Sequence, residues 1–151
     1  MTTKALLPTF SSSLARTIGS VPREHYLTES AAFEEGVEGA NLSAKRQTLP
    51  TAQTVAQLME ALELEAHSRV LEVGTGSGYL TTILSLLCAQ VYSLERSPAR
   101  QEAVRIRLQT MGRGNVALKL GDGLAGWPDE APFDAILVAI SETDVESCSP
   151  S

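Results

Sequence analysis

Apolar side chains in this chain change their spacing from one segment to the next, and the changes lay out an alternation of helices and strands. After Pro50, the residues Ala52, Val55, Ala56, Met59 and Leu62 recur at three- and four-residue steps, the period of one helix face, and Thr51 stands where an N-cap belongs. That spacing predicts a helix over 51–64. Ser68–Val73 is a short β-branched, apolar run with little alternation, as expected of a strand covered on both faces. Tyr79–Ala89 is apolar nearly throughout and long enough for a buried helix, and Val91–Glu95 reads as a second strand. Ser97-Pro98 supplies the N-cap and first residue of another helix, which runs to Met111 with Gly112 at its C-terminal end. Val116–Leu120 predicts a third strand, and Asp134–Ala139 a fourth after a proline-bounded loop that holds Trp127. Strands alternating with helices imply an α/β fold: a parallel sheet flanked by helices and joined by right-handed crossovers.

Composition narrows the picture. A chain of 151 residues has the length of one domain, and 43% hydrophobic with 20% charged residues is the balance of a globule. A net charge of −6 argues against a surface that tracks nucleic-acid phosphates. No apolar run approaches the roughly 20 residues that span a bilayer, so no membrane partner is expected. Pro8 and Ser11–Ser13 interrupt the start too early for a secretory signal, although the acid-free residues 1–23 leave a transit-peptide reading open. Cys88 and Cys148 have neither the spacing nor the histidine neighbours of a metal site, and read as reduced thiols of a cytoplasmic protein. His25 and His67 lack the partners of a catalytic triad and read as structural.

The chemistry concentrates at Val70-Leu71-Glu72-Val73-Gly74-Thr75-Gly76-Ser77-Gly78, a strand that runs into a glycine loop and a helix. Such a loop lets a ligand approach the backbone closely and presents the free N–H groups of the next helix. A dinucleotide fingerprint would carry a third glycine where this chain has Tyr79, and a pyrophosphate would be repelled by Glu72 at the loop's mouth. Glu72 suits a ligand with a cationic end, such as the ammonium and sulfonium of S-adenosylmethionine; its bland alternative is an acid meeting the next helix's dipole. Glu95 ends the second strand where a doubly wound fold holds ribose hydroxyls, or else is a surface acid before a helix. Asp122, in Gly121-Asp122-Gly123 at the end of the third strand, can accept from an adenine amino group or simply shape its turn. Thr75 and Ser77 can bond a cofactor carboxylate or stabilise the loop. Asp134 reads as an acid near the cofactor edge, with turn chemistry as its alternative.

Over residues 21–140 the chain resembles the protein-L-isoaspartate (D-aspartate) O-methyltransferase family. The resemblance rests on Val21-Pro22-Arg23-Glu24-His25-Tyr26, Gln47-Thr48-Leu49, the run Glu60 to Leu64, Val70–Tyr79, Val91–Glu95, Gly121-Asp122-Gly123 with Trp127-Pro128, and Ala131-Pro132-Phe133-Asp134-Ala135-Ile136. It implies a Rossmann-like S-adenosylmethionine methyltransferase fold, and methyl transfer to the free carboxylate of isoaspartyl residues in damaged proteins, a repair step. On that analogy Glu72, Gly74, Thr75, Gly76, Ser77 and Gly78 hold the methionine half, Glu95 the ribose, and Asp122 with Gly123 the adenine, while Gln47 and Thr48 meet the substrate. No side chain needs to act as a catalytic acid or base, because a carboxylate is already a nucleophile. Pro50 stands where the family has a serine beside the reacting carboxylate, and Ala44 and Arg46 replace its two glycines. The alternative is a non-catalytic or truncated module that keeps the cofactor pocket and acts through a partner.

The resemblance also sets expectations for the ends. Residues 1–20 read as a variable segment, a Ser/Thr-rich stretch in place of the family's leading helix; 21–140 as an incomplete cofactor-binding domain with the C-terminal strands missing; and 141–151 as an acidic tail. The fourth strand is then an unpaired apolar edge, a route to self-association.

Overall fold

A computed structural model describes residues 10–27 and 49–139. Helices α1 (Ser12–Gly19) and α2 (Ala52–Leu62) precede β1 (Arg69–Val73), α3 (Tyr79–Leu87), β2 (Gln90–Glu95), α4 (Pro98–Thr110) and β3 (Val116–Leu120). Two single 3-10 turns, Gly123–Ala125 and Pro128–Glu130, then lead to β4 (Ala135–Val138). All pairings are parallel and the strand order is β3-β2-β1-β4. The chain therefore steps outward from β1 to β3 and returns to the far side of β1. That reversal is the switch point at which an open α/β sheet leaves a crevice beyond its strand C-termini.

Register assigns the faces. Val70, Val91, Val116 and Ala135 form one row, and Glu72, Ser93, Leu118 and Leu137 the next. Val70, Val91 and Leu137 are buried with Val55, Met59, Ile83 and Leu84 of the helices in the main core. A fully buried Val or Leu there contributes about 1.5–3 kcal/mol of transfer free energy. The opposite face carries a smaller cluster of Leu71, Tyr92 and Leu94, packed by Trp127 and Phe133 of the β3–β4 connection. Both of those rings meet Tyr92 edge-on, at 5.4 and 5.5 Å. Arg69 ties that connection down: its guanidinium donates to Tyr92 Oη at 2.9 Å and to the carbonyls of Glu130 and Pro132 at 2.8 and 3.1 Å.

Helix starts follow the expected side chains. Thr51 Oγ1 accepts from Thr54 N at 3.2 Å, and Ser97 Oγ from Arg100 N at 3.3 Å ahead of Pro98. One expectation is corrected. The Ser/Thr-rich start is itself helical, because Ser11 caps α1 by accepting from Leu14 N at 3.3 Å and Leu14 and Ile18, one turn apart, face the core. The acidic tail 141–151, with Cys148, lies outside the described residues. No described helix is long and apolar enough to cross a membrane.

Candidate functional site

The loop between β1 and α3 takes its shape from glycine. Gly74, Gly76 and Gly78 have φ of 97°, 55° and 83°, a region that L side chains enter at a cost. The N–H groups of Gly74 and Thr75 both donate to Leu94 O, at 2.9 and 3.1 Å, which pins the loop to the tip of β2. Gly78 caps α3 and lies against α4, where an added Cβ would stand 2.9 Å from Val104 Cγ1.

Glu95 joins that loop to the next element. One carboxylate oxygen accepts from Gly76 N at 2.8 Å; the other accepts from Arg96 N at 3.1 Å and Ser97 N at 3.0 Å, at the entry to α4. A carboxylate offers about four lone-pair sites, so one remains for a further donor such as a hydroxyl. The backbone of β3 joins the same place, since Gly121 N donates to Glu95 O at 3.0 Å. Asp122 then turns the chain: its Oδ1 accepts from Leu124 N at 3.0 Å, and the residue is exposed. Gly123 presses on the tip of β1 so closely that an added Cβ would overlap Val73 Cγ1. The structure thus brings the glycine loop, Glu95, Asp122 and Gly123 together at the C-terminal ends of three adjacent strands.

Glu72 differs from its expected place at the loop's mouth. It lies under the loop, fully buried on the helix-covered face. Its Oε2 accepts from Thr81 Oγ1 at 2.5 Å and from Ser93 Oγ at 2.6 Å. Ser93 gives its single hydroxyl hydrogen to Glu72, so the 2.5 Å contact between Thr75 and Ser93 has Thr75 as donor. A directed chain of hydroxyls therefore links the buried acid to the glycine loop. Among the described residues, Glu72 Oε1 has no hydrogen-bond partner. Desolvation pushes the Glu72 carboxyl up to about 7; the Ser93 and Thr81 hydrogen bonds oppose the rise and the nearby Glu95 charge adds to it.

The remaining expectations divide. Ser77 Oγ accepts from Tyr79 N at 3.3 Å, a loop-stabilising contact. Asp134 is corrected: it sits before β4, at the opposite end of the strands, where its Oδ2 accepts from Arg69 N at 2.8 Å. Gln47 and Thr48 lie outside the described residues. Their neighbour Leu49 is held by Arg23, whose Nη2 donates to Leu49 O at 3.1 Å. Thr81 and Ser93 escaped sequence reasoning. Their signal was a set of hydroxyls, Thr81, Thr82 and Ser85, in the apolar run of α3, and Ser93 in register beside Glu72.

Known proteins share this arrangement. The family model described as protein-L-isoaspartate(D-aspartate) O-methyltransferase matches residues 9–148. A protein-L-isoaspartate O-methyltransferase of Myxococcus xanthus is 43% identical over 128 residues, covering 85% of this chain and 60% of the relative. One of Magnetococcus marinus is 41% identical over 121 residues, covering 80% of this chain and 53% of the relative. A solved protein-L-isoaspartate O-methyltransferase superposes with a TM-score of 0.71 at 28% identity, covering 87% of this chain and 44% of that one. The chain thus spans about half the length of these relatives.

Proposed function

Because the chain belongs to the protein-L-isoaspartate(D-aspartate) O-methyltransferase family, we propose that it binds S-adenosylmethionine at the glycine loop and methylates the free carboxylate of isoaspartyl residues in proteins. The observation that carries this reading is the convergence of Glu95 on Gly76 N and the start of α4, beside the Gly121–Gly123 turn. The donor set fits the cofactor. The loop from Gly74 to Gly78 offers backbone to the methionine half, Glu95 retains acceptor capacity for ribose hydroxyls, and Asp122 with Gly123 borders the adenine. Beneath the loop, Glu72 in its ionised form, above about pH 7, adds negative potential suited to a cationic ligand.

When bound, that cofactor supplies a methyl group on a sulfonium, which a carboxylate oxygen can take while the S–C bond breaks and a neutral thioether leaves. No proton moves in that step. The task of the chain is then to position and to exclude water. Gln47 and Thr48 are proposed to meet the substrate, with Arg23 anchoring the backbone beside them through Leu49 O. A cytoplasmic location belongs to the same proposal, supported by the free buried thiol of Cys88, which stays reduced there.

The test is transfer of a radiolabelled methyl group to an isoaspartyl peptide, alongside calorimetry with S-adenosylmethionine. Turnover that disappears when the peptide carries normal aspartate is the expected result; a folded chain that binds no cofactor overturns the reading. Pro50 motivates a second reading, a module that binds the cofactor without turning over. It has neither hydroxyl nor N–H to offer a substrate oxygen, and binding without methyl transfer is its signature.

A further inference from the structure

Consecutive residues at the tip of β2 grip the glycine loop, each through a different kind of group. The Glu95 carboxylate accepts from Gly76 N at 2.8 Å, and Leu94 O accepts from Gly74 N and Thr75 N at 2.9 and 3.1 Å. Ser93 adds a side-chain contact, its Oγ lying 2.5 Å from Thr75 Oγ1. Within the loop, Thr75 O accepts from Gly78 N at 2.9 Å. Thr75 is thus held by its amide, its carbonyl and its side chain, and it is 4% exposed.

The hydroxyl hydrogens can be assigned one by one. Glu72 Oε2 takes those of Ser93 and Thr81, at 2.6 and 2.5 Å, so a proton on that carboxyl sits on Oε1 and the chain of bonds runs the same way in either charge state. Ser93 Oγ then accepts from Thr75, whose one hydroxyl hydrogen points to β2. A cofactor carboxylate would need a donor, and the Thr75 side chain has none left to give. Breaking the Thr75–Ser93 bond leaves a buried polar atom unmet only while the loop keeps this shape, because a loop that opens lets water meet it. The bond therefore favours this loop shape over open ones.

We propose that Thr75 and Ser93 are positioning residues: their mutual hydrogen bond holds the glycine loop in the shape that receives the cofactor, and neither side chain touches the cofactor. The inference rests on the cofactor site proposed above.

Two measurements keep the claims apart. Amide hydrogen exchange in the ligand-free full chain reads the loop, and calorimetric titration of S-adenosylmethionine reads the site. Thr75→Val keeps the shape and deletes the donor; it should speed exchange of the Gly74, Thr75 and Gly76 amides and weaken the cofactor about tenfold, the scale of one net hydrogen bond. Exchange in the body of β1 and β2 should stay as in the parent. Thr75→Ser keeps the hydroxyl and should remain within about threefold of the parent in both measurements. Ser93→Ala should match Thr75→Val, and the double variant should lose no more than either single one, because each removes the same bond. Parental loop exchange in folded Thr75→Val, normal binding by folded Ser93→Ala, or additive losses in the double variant would overturn the proposal. A folded parent that binds no S-adenosylmethionine overturns the cofactor site and this role together, whereas a binding parent with unresponsive variants overturns this role alone.

Discussion

Glu72 is the most consequential single side chain, because it places a carboxylate with one unpartnered oxygen inside the core. Its carboxyl is raised from 4.5 to about 7 on folding, so between those pH values the folded chain holds a proton that the unfolded chain releases. Stability from this group is therefore lost as pH rises from about 4.5 to 7 and is level above, a swing on the order of 3 kcal/mol. Glu72→Gln keeps an acceptor for Thr81 and Ser93 and abolishes the titration. In urea unfolding at pH 5, 7 and 8.5, the variant should gain on the parent as pH rises; a constant difference would contradict the assignment. The type and spacing of Glu72, Glu95 and the glycines were legible in the chain. The direction of Glu72 was not, since a strand without alternation does not say which face its neighbours cover. A second test lies at Gly123, where Ala would drive a Cβ into Val73. Gly123→Ala should cost about 1–3 kcal/mol in thermal unfolding, the usual range for overpacking, and Val73→Ala in the same chain should restore part of it.

The helices and strands were mostly readable, and for reasons that the structure makes concrete. Thr51 and Ser97 cap the helices they precede, and Val116–Leu120 forms the strand foreseen from its apolar run. Helix α1 was missed because Ser11, Ser12 and Ser13 read as a break, when the first is a cap and only Leu14 and Ile18 carry the apolar face. An eight-residue helix offers too few turns to show a period, and it forms because α2 and α3 give it a surface. The junction of loop and helix at Gly78 carries two separable demands: a φ of 83° and contact with Val104. Gly78→Ala should lower stability by about 1–3 kcal/mol. Adding Val104→Ala should recover the steric part and leave the backbone part. A double-mutant cycle by chemical denaturation separates them, and full recovery would show that φ imposes no cost there.

Strand order lies beyond local pattern. Nothing within Ala135–Val138 states that it pairs with β1 rather than β3; the return follows from crossover handedness and from the β3–β4 connection packing over Tyr92 and Leu71. That arrangement leaves β4 with β1 as its one strand neighbour among the described residues. It also leaves Ile136 and Val138, level with Leu71 and Val73, 57% and 59% exposed. An apolar strand with an unpaired row of backbone groups is a template for another chain, and a lysine on such an edge opposes pairing by stranding a charge in the new interface. We propose that this edge lets the chain self-associate as its concentration rises, and Ile136→Lys with Val138→Lys should then shift it towards monomer in sedimentation velocity. Both side chains point away from the main core, so thermal stability should change little. A parent that sediments as monomer at every concentration, or a variant that associates equally, would remove β4 as the contact.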